Sequence, residues 1–335
     1  MQHAKIYDNI TELIGNTPMV RLHHVPAKGG AEVIVKLESF NPLSSVKDRI
    51  AISMVDDAEK RGEIQPGKSV IVEATSGNTG IGLAFVAAAK GYRCILVMPD
   101  TFSVERRKLL QALGAELVLT PGTKGLGEAL RLADEIAAKT PGGWRSKQFD
   151  NPANPKIHRE TTAEEIWRDT EGKVDCVVAG VGTGGTVSGT GQTLKKRNAK
   201  IHMVAVMPVE AMVLEGGAYA PHKLQGIGPS FIPAIYDKAV VDEVAHVTFD
   251  QAVEVARKLA KEEGIFVGIS SGAIAWAALQ QAAKLGAGKR VVAILPDTGE
   301  RYLSTALFEY TELVNQPPTV APPPPSTAKM PVARP

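Results

Sequence analysis

Only two cysteines occur in 335 residues, Cys94 and Cys176. Each lies in an apolar run of strand character, Arg93-Cys-Ile-Leu-Val-Met98 and Val174-Asp-Cys-Val-Val-Ala179. That rules out a disulfide framework and reads both thiols as small buried hydrophobes instead of nucleophiles. No apolar run approaches the ~20 residues of a membrane span, and the N-terminus lacks a signal-peptide pattern, so a cytoplasmic protein is expected. A formal net charge of +2 gives no reason to invoke nucleic acid or an anionic membrane. His23, His24, His158, His202, His222 and His246 show no metal-ligand spacing; they read as structural or surface residues, and no metal is expected.

What is present is ordinary globular material, 44% hydrophobic and 22% charged, long enough for two domains sharing a cleft. Strand and helix patterns alternate from about residue 32 to 300, the signature of an α/β architecture with parallel sheets. Trp144, Trp167 and Trp276 read as core packing, and Arg106-Arg107-Lys108 as a solvated helix face. The last twenty residues differ. Gln316 to Pro335 holds eight of the 22 prolines and no periodic apolar pattern, so an extended, disordered tail is expected.

One lysine stands out. In Asn41-Pro-Leu-Ser-Ser-Val-Lys-Asp-Arg49, Ser44 or Ser45 reads as an N-cap, with Val46, Ile50, Met54 and Ala58 at helical spacing behind it. Lys47 therefore falls in the first turn, where the helix dipole disfavours a cation and lowers the amine pKa. A neutral amine is what Schiff-base chemistry needs. On this segment alone, a surface lysine that tolerates its position is the simpler reading.

Three loops change that. Ser69–Ala74 reads as a strand, Thr75-Ser-Gly-Asn-Thr-Gly80 as a loop, and Ile81 to Lys90 as a helix stopped by Gly91. Val174–Ala179, Gly180-Val-Gly-Thr-Gly-Gly-Thr186 and Val187–Arg197 repeat the plan. Gly264–Ile269 reads as a third strand, followed by Ser270-Ser271-Gly272 and a helix ending near Gly286. Each loop aims backbone N–H groups and hydroxyls from a helix N-terminus, which makes an anion site. Three such loops and a displaced lysine point to a phosphorylated cofactor and a carboxylate-bearing substrate.

Gly180, Gly182 and Gly185 also satisfy the G-x-G-x-x-G dinucleotide fingerprint. That reading needs an acidic residue at the end of the next strand, Ile201–Val206, and Met207 stands there. No Gly-Lys-Ser/Thr follows the loop, which removes the nucleotide P-loop as well. A nicotinamide oxidoreductase is left as a distant alternative.

Ser45-Val-Lys-Asp-Arg49, Thr75-Ser-Gly-Asn-Thr-Gly80, Gly182-Thr-Gly-Gly-Thr186, Gln225-Gly-Ile-Gly228, Gly268-Ile-Ser-Ser-Gly272 and Gly299-Glu-Arg-Tyr-Leu-Ser-Thr305 together resemble the cysteine synthase (O-acetylserine sulfhydrylase) family. These are pyridoxal-phosphate enzymes of the tryptophan-synthase-β fold type (fold type II). The resemblance runs from about Ile10 to Tyr310. It implies a larger domain of residues 1–44 and 151–315, a smaller mobile domain of 45–150, and pyridoxal 5'-phosphate in the cleft between them. It further implies that Lys47 holds the cofactor as a Schiff base and serves as the Cα base. Gly182, Thr183, Gly184, Gly185 and Thr186 would cradle the phosphate, and Asn78 would bond the phenolic oxygen. Thr75, Ser76, Thr79 and Gln148 would hold the substrate carboxylate, with Gln225 and Gly226 walling the acceptor side. Ser270 would face the pyridine nitrogen, adjacent Ser271 being the alternative.

The implied reaction is loss of acetate from O-acetyl-L-serine, an aminoacrylate intermediate, and sulfide attack to give L-cysteine. Cystathionine β-synthase (typically glutamate where Gln225 stands), O-phosphoserine-dependent sulfhydrylase and a non-catalytic regulator of the same fold are the alternatives. A homodimer is implied, and some relatives bind the C-terminal peptide of serine acetyltransferase. This chain departs from the family at Met207, where glutamate is usual, and at Pro229 and Ser230, which stiffen and narrow the groove for such a peptide.

Overall fold

The computed structural model describes residues 6–75, 77–100 and 104–309; Ser76 and the tail of 316–335 lie outside them. The strands are β1 (Met19–Arg21), β2 (Glu32–Leu37), β3 (Val70–Ala74), β4 (Arg93–Pro99), β5 (Glu116–Thr120), β6 (Gly143–Arg145), β7 (Cys176–Gly180), β8 (His202–Pro208), β9 (Glu243–Val247) and β10 (Arg290–Leu295). The helices are α1 (Lys47–Lys60), α2 (Asn78–Lys90), α3 (Val104–Ala112), α4 (Gly125–Lys139), α5 (Ala153–Ile157), α6 (Ala163–Asp169), α7 (Gly185–Arg197), α8 (Phe249–Glu263) and α9 (Ile269–Leu285). They build an α/β fold on two sheets. One is six-stranded in the order β1-β2-β10-β7-β8-β9, and the other four-stranded in the order β5-β4-β3-β6. Every pairing is parallel except β1 with β2.

Both faces of each sheet are covered, which is why the strands read as continuous apolar runs. The strand period of two sorts them cleanly. Cys176 and Val178, Val204 and Val206, and Val291, Ala293 and Leu295 point into the core shared with α8 and α9. Val177 and Ala179, Met203, Ala205 and Met207, and Val292 and Ile294 point the other way, toward α6 and α7. In the smaller sheet Cys94, Leu96 and Met98 face α1 and α2, while Ile95 and Val97 face α4. Both cysteines are free and buried, as expected, and burial pushes each thiol up to about 12. Trp144, Trp167 and Trp276 are partly buried against these cores. No helix among the described residues is long and apolar enough to cross a membrane.

Several boundaries move. α2 begins at Asn78 and α7 at Gly185, so loop residues expected before each helix form its first turn. The residue at the α1 cap is Val46, not a serine, although Ser45 Oγ accepts the Lys47 N–H at 3.2 Å. His158 directly follows α5 and continues its helical path. The strand expected over Gly264–Ile269 does not form. Gly264 closes α8 at φ 69° and α9 already starts at Ile269, leaving room for a single bridge, Val267 to Thr298. β8 runs on to Pro208, so Met207 is inside the strand and wholly buried among apolar side chains. The position is a core site in this chain, and nothing there offers a ribose an acidic partner.

A buried ionic cluster joins the first sheet to α1 and α6. Arg49 Nε meets Glu38 Oε2 at 2.7 Å, its Nη1 meets Glu165 Oε1 at 2.8 Å, and Lys36 Nζ meets Glu165 Oε2 at 2.7 Å. All four side chains are buried. Burial would raise the Glu165 carboxyl, but Arg49 overrides it and holds the group down to about 2.

Candidate active site

The C-terminal ends of β3, β7 and β10 open on one cavity of about 610 Å³, the place where open α/β sheets receive ligands. Lys47 lines it from the first position of α1. Its amine is buried, and desolvation lowers its pKa, against the opposing pull of Asp297 and Glu38. The drive toward a neutral amine comes from burial.

Across the cavity stands the glycine loop. Gly182, Thr183, Gly184 and Thr186 line it, and Gly185 opens α7 behind them. Gly184 sits at φ 84°, left-handed backbone that only glycine adopts freely. A Cβ on Gly182 would stand 2.4 Å from the Gly226 carbonyl, and one on Gly185 1.9 Å from Asn154 Oδ1. The loop is therefore wrapped as tightly as backbone allows and leads straight into the N-terminus of α7, an arrangement that suits a phosphate. Asn154 Nδ2 donates to Thr183 Oγ1 at 3.0 Å, and its own Oδ1 is buried without a partner. Thr186 Oγ1 lies 3.2 Å from His158 Nε2, whose Nδ1 lies 2.9 Å from Thr162 Oγ1. His158 is fully buried; burial and then the Arg49 charge bring its pKa down to about 3, so the ring is neutral.

Thr75, Thr79 and Gln148 line the same cavity, and the Thr79 hydroxyl donates to Gln148 Oε1 at 2.6 Å. Asn78 lines it from the first position of α2. Gln225 and Gly226 form part of the wall together with Pro229 and Ser230. Of the two candidate serines, Ser270 lines the cavity. Ser271 is buried away from it with an unpartnered Oγ. Every site residue expected from the sequence and described here, Gly185 apart, contributes to this one cavity.

Other contributors were not foreseen. Asp297 lines the cavity and accepts from Asn78 Nδ2 at 2.7 Å. Arg106, read as part of a solvated helix face, instead reaches into the cavity. Its Nη2 donates to Gln225 Oε1 at 2.9 Å, and its guanidinium lies over the Tyr302 ring, 5.7 Å from the centroid. His222 also lines the cavity and bonds the Gly228 carbonyl at 2.8 Å. The apolar spacing of α3 would have placed Leu110 inward, but nothing local says that Arg106 faces a cleft. Among the described residues no group of side chains could hold a metal ion.

Comparison with known proteins agrees with this geometry. Residues 10–297 match the family model of pyridoxal-phosphate-dependent enzymes. The chain is 52% identical over 309 residues to a cysteine synthase of Staphylococcus aureus, covering 92% of this chain and 99% of that protein. Among solved structures it resembles an O-ureido-L-serine synthase (49% identical, TM-score 0.89, 92% of this chain and 97% of that one). It also resembles the cysteine synthase of Entamoeba histolytica (46% identical, TM-score 0.88, 93% and 94%). With Lys47 and a tight glycine loop bordering one cavity, and this likeness over almost its whole length, the chain belongs to the family of pyridoxal-phosphate-dependent enzymes that includes cysteine synthase.

Proposed function

We propose that the chain is an O-acetylserine sulfhydrylase, converting O-acetyl-L-serine and sulfide to L-cysteine and acetate. The observation that carries this is that Lys47, Gly182, Thr183, Gly184, Thr186, Thr75, Thr79, Gln148 and Gln225 border a single cavity. The tight glycine loop at the N-terminus of α7 fits a phosphate group, and Lys47 on the same cavity fits an aldehyde. Bound there, pyridoxal phosphate supplies the electron sink that lets the Cα–H bond ionise.

The chain's own residues do the rest. Gly182 to Thr186 hold the phosphate, and Asn78 holds the phenolic oxygen. Thr75, Thr79 and Gln148 hold the substrate carboxylate, which sets the Cα–H bond toward Lys47. Lys47 Nζ takes that proton as acetate leaves Cβ, and returns it once sulfide has bonded to Cβ. Ser270 meets the pyridine nitrogen with a neutral hydroxyl, leaving it unprotonated and the sink weak, which suits prompt loss of a β-leaving group. Gln225, where cystathionine β-synthase typically has glutamate, gives the acceptor side a neutral wall suited to a small nucleophile. The reading extends to a homodimer in the cytoplasm, a mobile 45–150 unit, and an acetyltransferase C-terminal peptide docking on the carboxylate loop, where Pro229 and Ser230 set the width.

The test offers O-acetylserine, O-phosphoserine and serine separately with sulfide, and serine with homocysteine, and measures release of L-cysteine or of the thioether product. O-Acetylserine should be consumed fastest. Faster turnover of serine with homocysteine would overturn the substrate assignment.

A further inference from the structure

The amide of Asn78 is held at both ends before any ligand arrives. Its Nδ2 donates to Asp297 Oδ2 at 2.7 Å, and its Oδ1 accepts from Arg301 Nη1. A carboxylate only accepts and a guanidinium only donates, so an amide between them has one permitted orientation. Nδ2 carries two hydrogens; one is spent on Asp297 and the other remains. We infer that Asp297 and Arg301 are positioning residues that lock the Asn78 amide so that its remaining N–H is presented to the cleft. The inference rests on the reading of Asn78 as the partner of the cofactor's phenolic oxygen.

The clamp is itself fixed. Asp297 follows β10, is almost wholly buried, and accepts a second bond from Tyr302 OH at 2.6 Å on the same oxygen. Its backbone forms an antiparallel bridge with Ser45, and the Pro296 carbonyl accepts from Val46 N–H at 2.8 Å, so it is tied to the chain just before Lys47. The other carboxylate oxygen presses on Gly268, where a Cβ would stand 2.3 Å away. Arg301 is anchored in turn to the Leu43 carbonyl. Both clamping groups thus come from the segment after β10 and grip the N-terminus of α2 from across the cleft. Without them, the Asn78 amide can rotate by half a turn and offer the phenolic oxygen a carbonyl in place of an N–H. That contact would repel.

A double-mutant cycle on the pyridoxal-phosphate holoenzyme tests this, using Asp297→Asn, Asn78→Ala and the pair. The readouts are the position of the cofactor's visible band, cofactor affinity by fluorescence titration of the apoprotein, and kcat. Asp297→Asn should shift the band and lower kcat and cofactor affinity by roughly tenfold, the range for losing one charge-assisted contact. In the Asn78→Ala background the same change should cost less than about twofold, because the residue it acts through is gone. Equal cost in both backgrounds, or an unshifted band in Asp297→Asn, would overturn the clamp. Tyr302→Phe serves as the control, since it removes the other bond to the same oxygen; a band shift matching that of Asp297→Asn would also overturn it. Because band and affinity are read without substrate, the clamp stands or falls even where the sulfhydrylase assay fails.

Discussion

Thr79 Oγ1 and Gln148 Oε1 are hydrogen-bonded at 2.6 Å, although 69 residues separate them in the chain. The threonine opens the second residue of α2, while the glutamine comes from the loop after β6. By donating to the amide oxygen, the hydroxyl fixes the Gln148 amide on the cavity wall, where the proposed function places the substrate carboxylate. Thr79→Val keeps the shape and removes the donor. It should raise KM for O-acetylserine by about fivefold to tenfold, as expected of one hydrogen bond, with a smaller change in kcat; steady-state kinetics checks this.

Lys47→Ala removes the amine proposed as the Cα base while leaving the loop of 182–186 in place. Turnover should fall by about a thousandfold or more, with an unchanged circular dichroism spectrum and no Schiff-base absorption band. Near-normal activity would refute the assignment.

Ser270→Asp should keep the pyridine nitrogen protonated and slow loss of the β-leaving group by sending electrons into the ring. Only Ser270 lines the cavity, whereas Ser271 is turned away from it. Ser271→Asp should therefore give a folding defect without the spectral signature. The opposite pattern would exchange their roles.

His158 supports Thr186 as a neutral ring with a pKa near 3, against an unfolded value of 6.5. A depressed folded pKa means the unfolded chain binds the proton first. The stability this group contributes is complete above pH 6.5 and is lost as pH falls from 6.5 toward 3. In urea melts, the advantage of the parent over His158→Gln should shrink steadily between pH 7 and pH 5. A constant difference would mean that the ring does not titrate between the two states.

Local pattern carried much of this molecule. Ile50, Met54 and Ala58 are buried because a helical period of apolar residues has only one place to go, and Gly91 and Gly286 end their helices as their position demands. Lys47 and the 182–186 loop were legible because each is an oddity within its own few residues. Asp297, Arg301 and Arg106 were not. Asn78 meets Asp297 from 219 residues away and Arg301 from 223, and no local period records which remote segment will fold beside it. The strand misread at Gly264–Ile269 failed for a related reason. Its residues have strand character, but the five-residue gap between Glu263 and Ile269 leaves no length for a ladder. Met207 is the converse case, since extension of β8 by two residues turned an apparent loop position into core.

The cluster of Lys36, Glu38, Arg49 and Glu165 restricts how this sequence can drift. Replacing any one of the four strands a charge in the interior, at a cost of about 3–5 kcal/mol, whereas exchanging the whole set for well-packed apolar side chains is often neutral or better. Single steps are therefore barred while the distant end point is open. Across descendants of this chain the four positions should change together or not at all, and a lone Arg49→Met variant should be recoverable only by joint second-site changes at Glu38, Glu165 and Lys36.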